Sequence, residues 1–190
     1  HGGILYVRDN AQHTQEIKRH NIKPIDLVCA NLYPFESVAE KETVSDDEAT
    51  ENIDIGGHTL LRAAAKNYRD VTAVCDYHDY GRVLASIGKN NGNTSLELRR
   101  ELAQKVFLRL ARYDAAIGSF LSARPGEKRT PPLVTIYPEG IPLRYGENPH
   151  QDAVFYKDPR TAEACVAHAE ILHGKEMSYN NYVDADAALE

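Results

Sequence analysis

Asn52 to Asn67 reads N-I-D-I-G-G-H-T-L-L-R-A-A-A-K-N, and the rest of the chain is organised around it. Two adjacent glycines, Gly56 and Gly57, let the backbone turn sharply and let a ligand approach the main chain with no Cβ in the way. Thr59 to Ala65 is rich in helix formers, so a helix is predicted to start near Gly57 and to end at Lys66. Its first amides lack intrahelical partners and are free to receive an anion or a carbonyl oxygen. Asp54 stands before this helix and Lys66 at its far end, a carboxylate and an amine that can act as an acid/base pair if the fold unites them. The competing reading makes Asp54 a helix cap only. About nine helical residues span roughly 14 Å, so a long lysine stem and a bent path are needed for both to reach one ligand.

Working outward, Ile25 to Ala30 and Val71 to Cys75 are short apolar runs that read as parallel strands covered on both faces. Pro34 closes the first of them, because it cannot donate to a ladder. Asn31 and Tyr33 then sit at a strand's carboxyl end, where open α/β sheets bind ligands. Ser45 and Glu48 have the spacing of a capping box for a helix. Asp76 is predicted to open a helix reaching about Ile87, ended by Gly88 and the Asn90-Asn91-Gly92-Asn93 turn. Thr94 or Ser95 caps the longest helix, which runs to about Ala123. There Leu98, Leu102, Val106, Leu110, Tyr113 and Ile117 form one apolar stripe. Arg124 to Arg129 with Pro131-Pro132 breaks every pattern and reads as a linker. Beyond it Ala153 to Tyr156 is strand-like, His173 to Asn181 is loop-like, and Asp184 onward is helical.

The 190 residues are 42% hydrophobic and 26% charged, ordinary for a soluble globular chain. A net charge of -6 argues against a nucleic-acid reader, which carries a basic face. Three widely spaced cysteines suit a reducing compartment, and the eight scattered histidines show no metal-ligand spacing, so no metal is expected. No apolar run reaches the ~20 residues a bilayer span requires, and the expected location is cytoplasmic. The ends, His1 and a helical pattern cut at Glu190, read as those of an internal fragment.

Five motifs occur in order: N-L-Y-P-F at Asn31, N-I-D-I-G-G at Asn52, R-A-A-A-K-N at Arg62, L-R-Y-G-E-N-P-H-Q at Leu143 and S-Y-N-N at Ser178. Together they resemble the bifunctional purine-biosynthesis enzymes that join aminoimidazole carboxamide ribonucleotide (AICAR) formyltransferase to inosinate (IMP) cyclohydrolase. The resemblance implies an α/β architecture in two parts. Residues 1–123 correspond to a truncated cyclohydrolase domain with a methylglyoxal-synthase-like parallel sheet. Residues 124–140 are a linker, and residues 141–190 open a cytidine-deaminase-like formyltransferase domain. It further implies formyl transfer from formyl-tetrahydrofolate, as co-substrate, to AICAR, then dehydrative closure of formyl-AICAR to IMP, in a homodimer.

Carried over by position, the resemblance makes Lys66 the proton-transfer lysine of ring closure. Asp54 lies beside the reacting formamide, with Ile55 in a backbone-contacting position. Ala30 and Asn31 fall on nucleotide-contacting positions and Tyr33 on an active-site tyrosine. Arg144 and Tyr145 hold AICAR in formyl transfer, with Asn181 as another substrate contact. Ring closure suits such residues: a carboxamide nitrogen loses a proton as it attacks, and the developing oxyanion needs a donor. The family's phosphate loops and R-V-K-T segment are expected upstream of His1, and its formyltransferase Lys-His pair beyond Glu190, so the fragment alone is expected to be inactive. Rival readings are a methylglyoxal-synthase-like phosphate-binding enzyme, which leaves the Arg144 and Ser178 motifs without a use, and a non-catalytic interaction module with the Ser95 to Ala123 helix as its docking surface. A dinucleotide dehydrogenase is disfavoured by the lack of G-x-G-x-x-G.

Overall fold

A computed structural model of the chain describes residues 1–41, 43–122, 133–137, 140–158 and 161–189. Most of the expected linker, Arg124 to Pro132, lies outside the described residues. The chain divides into two compact units, His1–Val134 and Thr135–Glu190.

In the first unit, β1 (Leu27–Cys29) and β2 (Thr72–Val74) pair in parallel, Leu27 opposite Thr72 and Cys29 opposite Val74. The crossover between them carries α3 (Phe35–Ala39), α4 (Asp46–Glu51) and α5 (Gly56–Lys66). Before β1 come α1 (Gly2–Leu5) and α2 (Ala11–Arg19). After β2, Asp76 caps a 3-10 turn at Tyr77–Asp79, and α6 (Tyr80–Lys89) follows. The helix expected from Asp76 therefore begins four residues later, because the Asp76 side chain accepts the His78 amide and closes a tighter turn first. The 27-residue α7 (Leu96–Ser122) completes the unit.

Two apolar clusters lie on either side of β2. Ala73 joins Leu61, Ala64 and Ala65 of α5 and Val106 and Leu110 of α7, while Val74 joins Val83 of α6 and Leu98 and Leu102 of α7. All three β2 residues are buried, as expected of a strand covered on both faces. For β1 that expectation needs correction, since only Val28 is buried and Leu27 and Cys29 are exposed. Val28 packs with the α5 cluster, whereas Leu27 and Cys29 leave the opposite side of β1 exposed in this chain. A third cluster, Phe35, Ala49 and Tyr113, seats α3 and α4 on α7.

Local chemistry fixes the helix ends. Ser45 Oγ accepts the Glu48 amide 3.1 Å away, as the capping spacing requires. Asn67, which closes the R-A-A-A-K-N motif, is buried and donates to the carbonyls of Ile4 and Tyr6 at 2.8 and 3.1 Å. It thereby ties α1 to the end of α5. Asn91 and Gly92 both adopt positive φ in the turn after α6, a conformation these residue types tolerate.

In the second unit, β3 (Gly140–Pro142) and β4 (Val154–Tyr156) pair antiparallel. A 3-10 turn follows at Val166–His168, and then α8 (Tyr179–Leu189). Phe155 stacks on Tyr182 with centroids 4.2 Å apart, which packs β4 against α8. The helix starts five residues before the expected Asp184. Ser178 and Asn181 satisfy one another's backbone amides, with Asn181 Oδ1 accepting from Ser178 N at 3.0 Å and Ser178 Oγ from Asn181 N at 3.4 Å. This is a capping box with asparagine in the acceptor role.

Candidate functional site

The residues read from the Asn52 stretch converge only in part. Asp54 is buried, and its two carboxylate oxygens hold separate segments. Oδ1 accepts the Gly57 amide at 2.7 Å, and Oδ2 accepts the Tyr33 amide at 3.2 Å. It is thus a helix-end ligand, as the capping reading predicts, and also the tie between α5 and the loop after β1. The glycine is required at Gly57, where a Cβ would stand 2.8 Å from Asp54 Oδ2. A carboxylate offers about four lone-pair directions, so both oxygens retain capacity for a further donor.

Around this tie the neighbouring residues are open. Tyr33 is 59% exposed and Ile55 70% exposed, so both residues border solvent beside the buried aspartate. Ala30 is half-buried and donates its amide to the Val74 carbonyl at 3.1 Å, extending the parallel ladder, and Asn31 is exposed next to it. Asn31, Tyr33, Asp54 and Ile55 therefore lie along one rim, where the loop after β1 meets the start of α5.

Lys66 does not join them. It lies in the last turn of an 11-residue helix whose rise is about 16 Å. Its side chain is exposed and makes no ion pair among the described residues. No hydrogen bond or ion pair joins Asp54 and Lys66 in this structure.

Two residues that the sequence reading assigned no site role support the rim. Tyr113 of α7, treated as part of the apolar stripe, is fully buried yet hydrogen-bonded through its hydroxyl. It accepts the Asp54 amide at 2.9 Å and donates to the Asn52 carbonyl at 3.0 Å. Burial pushes its phenol above the ordinary tyrosine range, so the donating proton is retained at neutral pH. His58, in the first turn of α5, lies 3.0 Å from Asp114. The available signal was a tyrosine in an otherwise aliphatic stripe, since a buried phenol needs a partner.

The second group is brought together in the other unit. The Arg144 amide donates to the Met177 carbonyl and the Tyr179 amide to the Tyr145 carbonyl, which lays Arg144-Tyr145 beside the start of α8. The Arg144 guanidinium lies 4.9 Å over the Tyr145 ring and 3.3 Å from its hydroxyl. Hydrogen bonds from Ser178 and Arg144, and then the Arg144 charge, hold the Tyr145 phenol below its usual range. Asn181 is exposed, but its carboxamide oxygen is engaged by Ser178, itself fully buried. Ser178 opens the S-Y-N-N motif, but the sequence assigns it no site role of its own.

A family profile described as AICARFT/IMPCHase bienzyme matches residues 64–190. The chain belongs to this family. Across its whole length it is 51% identical to the bifunctional purine biosynthesis protein PurH of Bacillus subtilis and 52% identical to that of Listeria monocytogenes serovar 1/2a. The PurH protein of Magnetococcus marinus is 51% identical over 195 aligned residues. The chain spans 37% of the length of these relatives. A solved structure titled "Crystal structure of ForH" matches 63% of this chain and 62% of its own, at 34% identity and a TM-score of 0.55. Within the bienzyme family, then, the chain carries both clusters just described, one in each compact unit. Among the described residues no group of three His, Cys, Asp or Glu side chains is placed to hold a metal ion, and no helix is long and apolar enough to cross a membrane.

Proposed function

We propose that the protein carrying this chain performs the last two steps of IMP synthesis. It transfers a formyl group from formyl-tetrahydrofolate to the amine of AICAR, then closes formyl-AICAR to IMP with loss of water. The observation that carries this reading is the match over the whole of this chain, at about half identity, to a 37% share of bifunctional purine biosynthesis proteins.

The rim around Asp54 suits ring closure. A buried carboxylate fixed by the Tyr33 and Gly57 amides is pre-organised to receive a donor from the formamide or carboxamide. On this reading Asn31, Ala30 and Ile55 would meet base and ribose, with Tyr33 as an active-site tyrosine. Lys66 would serve proton transfer from a position other than the Asp54 rim. In the second unit Arg144 presents a fork of donors to a phosphate or carboxamide oxygen, with Tyr145 and Asn181 alongside. Residues 1–123 then form part of a methylglyoxal-synthase-like cyclohydrolase domain, residues 124–140 a linker, and residues 141–190 the opening of a cytidine-deaminase-like formyltransferase domain. The working form is a cytoplasmic homodimer.

The test is conversion of AICAR to IMP by the full-length protein with a formyl-folate donor, followed by its absorbance change and by chromatography. Formation of IMP supports the reading. Failure to consume AICAR or to cyclise supplied formyl-AICAR overturns it.

A further inference from the structure

We infer that Tyr113 is a positioning residue for ring closure, acting through Asp54; the inference rests on the function proposed above. Three segments distant in sequence meet at this point: the loop after β1, the turn before α5 and the middle of α7. Tyr113 Oη uses its proton on the Asn52 carbonyl and a lone pair on the Asp54 amide, so it grips the turn on both sides of Ile53. Asp54 in turn uses its carboxylate on Tyr33 and Gly57. Displacement of the Asn52–Asp54 turn therefore moves the carboxylate and releases the Tyr33 loop with it.

The tyrosine ring is itself fixed. It is fully buried and edge-on to Phe35, with centroids 6.1 Å apart, while the His58 ring lies 6.3 Å away. Tyr113→Phe keeps this packing and removes only the hydroxyl. The Asp54 amide and the Asn52 carbonyl lose their shared partner while Asp54 remains buried, so the turn must shift to regain partners. A purely structural tyrosine would change the amount of folded protein; a positioning one changes turnover per folded site.

The experiment uses the full-length protein and assays ring closure of supplied formyl-AICAR separately from formyl transfer to AICAR. Tyr113→Phe is expected to lower kcat for ring closure about tenfold with KM changed less than about twofold, and to leave formyl transfer unchanged. In an Asp54→Asn background the same substitution is expected to change kcat by less than about twofold, because the residue it acts through is already lost. Hydrogen exchange gives a readout independent of activity: the Tyr33 and Gly57 amides should lose protection in Tyr113→Phe. Wild-type turnover in Tyr113→Phe, additive effects in the double variant, parallel loss of both activities, or unchanged protection of those amides would each overturn the inference. A wild-type protein that cannot cyclise formyl-AICAR would instead sink the proposed function, and the inference with it.

Discussion

Asp54 and Gly57 are joined by a 2.7 Å hydrogen bond from the glycine amide to Oδ1, and the glycine α-carbon faces the same carboxylate so closely that no side chain fits between them. The adjacent Gly56 has nothing within 4 Å of where its Cβ would be. The two glycines of one dipeptide are thus under different constraints. Gly57→Ala is expected to push the Asp54 carboxylate aside and lower ring-closure kcat by about tenfold or more, equivalent to about 1.4 kcal/mol or more. Gly56→Ala should remain within about twofold of wild type. Steady-state kinetics of the two variants check the pair; equal effects would refute the close-approach argument.

Lys66→Ala should abolish ring closure while sparing formyl transfer, so that formyl-AICAR accumulates when AICAR and the folate donor are supplied. Loss of a positioned proton-transfer group costs about 10²–10⁴-fold in rate. Lys66 is exposed and without an ion pair among the described residues, so its removal should leave the thermal midpoint nearly unchanged. Chromatography of the reaction mixture checks the first expectation, and calorimetry the second. IMP formation near the wild-type rate would refute the assignment.

Arg144 belongs to the second unit, and its substitution should separate the two activities in the opposite sense. Arg144→Ala removes both the cation over the Tyr145 ring and the 3.3 Å contact to its hydroxyl. The KM for AICAR in formyl transfer should rise about tenfold or more, as expected when a charge-assisted contact is lost. Cyclisation of supplied formyl-AICAR should be unaffected. Equal loss of both activities would instead indicate general misfolding or one shared site.

A stability prediction concerns Lys105 of α7, whose ammonium lies 2.8 Å from Asp76 and 2.6 Å from the buried Asp79. Its hydrogen bond, followed by that of the His78 amide, holds the Asp76 carboxyl well below the usual carboxylate range. A carboxyl depressed by folding contributes stability at pH above its unfolded value near 4, and that contribution fades as pH falls toward the folded value. Lys105→Met should therefore cost about 1–3 kcal/mol at pH 7, discounted from the fully buried case because the lysine is partly solvated and Arg82 still faces Asp79. The gap should narrow below about pH 4. Thermal unfolding of both proteins across pH 3–8 checks the magnitude and the sign.

Elements governed by local chemistry were legible before the structure. The glycines and alanines that bound α5, the Ser45 cap and the stripe of α7 all depend on residues within a few positions of one another. The start of α8 was misplaced because Ser178 pairs with an asparagine rather than with the glutamate or glutamine expected in that position. The open side of β1 was illegible for a different reason: apolar composition shows that Leu27 and Cys29 tolerate burial, not that a neighbour covers them. Asp54 could be singled out from the Gly-Gly turn, yet its contact with Tyr33 spans 21 positions and that of its amide with Tyr113 spans 59. Such contacts depend on the crossover and have no periodic signature. The helix expected between Asp54 and Lys66 is present, from Gly56 to Lys66.

The crossover from β1 to β2 also sets the order in which these contacts can form. Helix α7 closes its hydrogen bonds over four residues and can nucleate early. Pairing Leu27 with Thr72 requires the whole intervening segment to be gathered first, at a loop-closure cost in chain entropy. The bond from the Tyr33 amide to Asp54 lies inside that segment, and that of Asp54 with Tyr113 links it to α7. Refolding should therefore show helical circular dichroism recovering ahead of the Tyr33–Asp54 contact. A nascent chain would acquire the aspartate's final geometry only after α7 has left the ribosome.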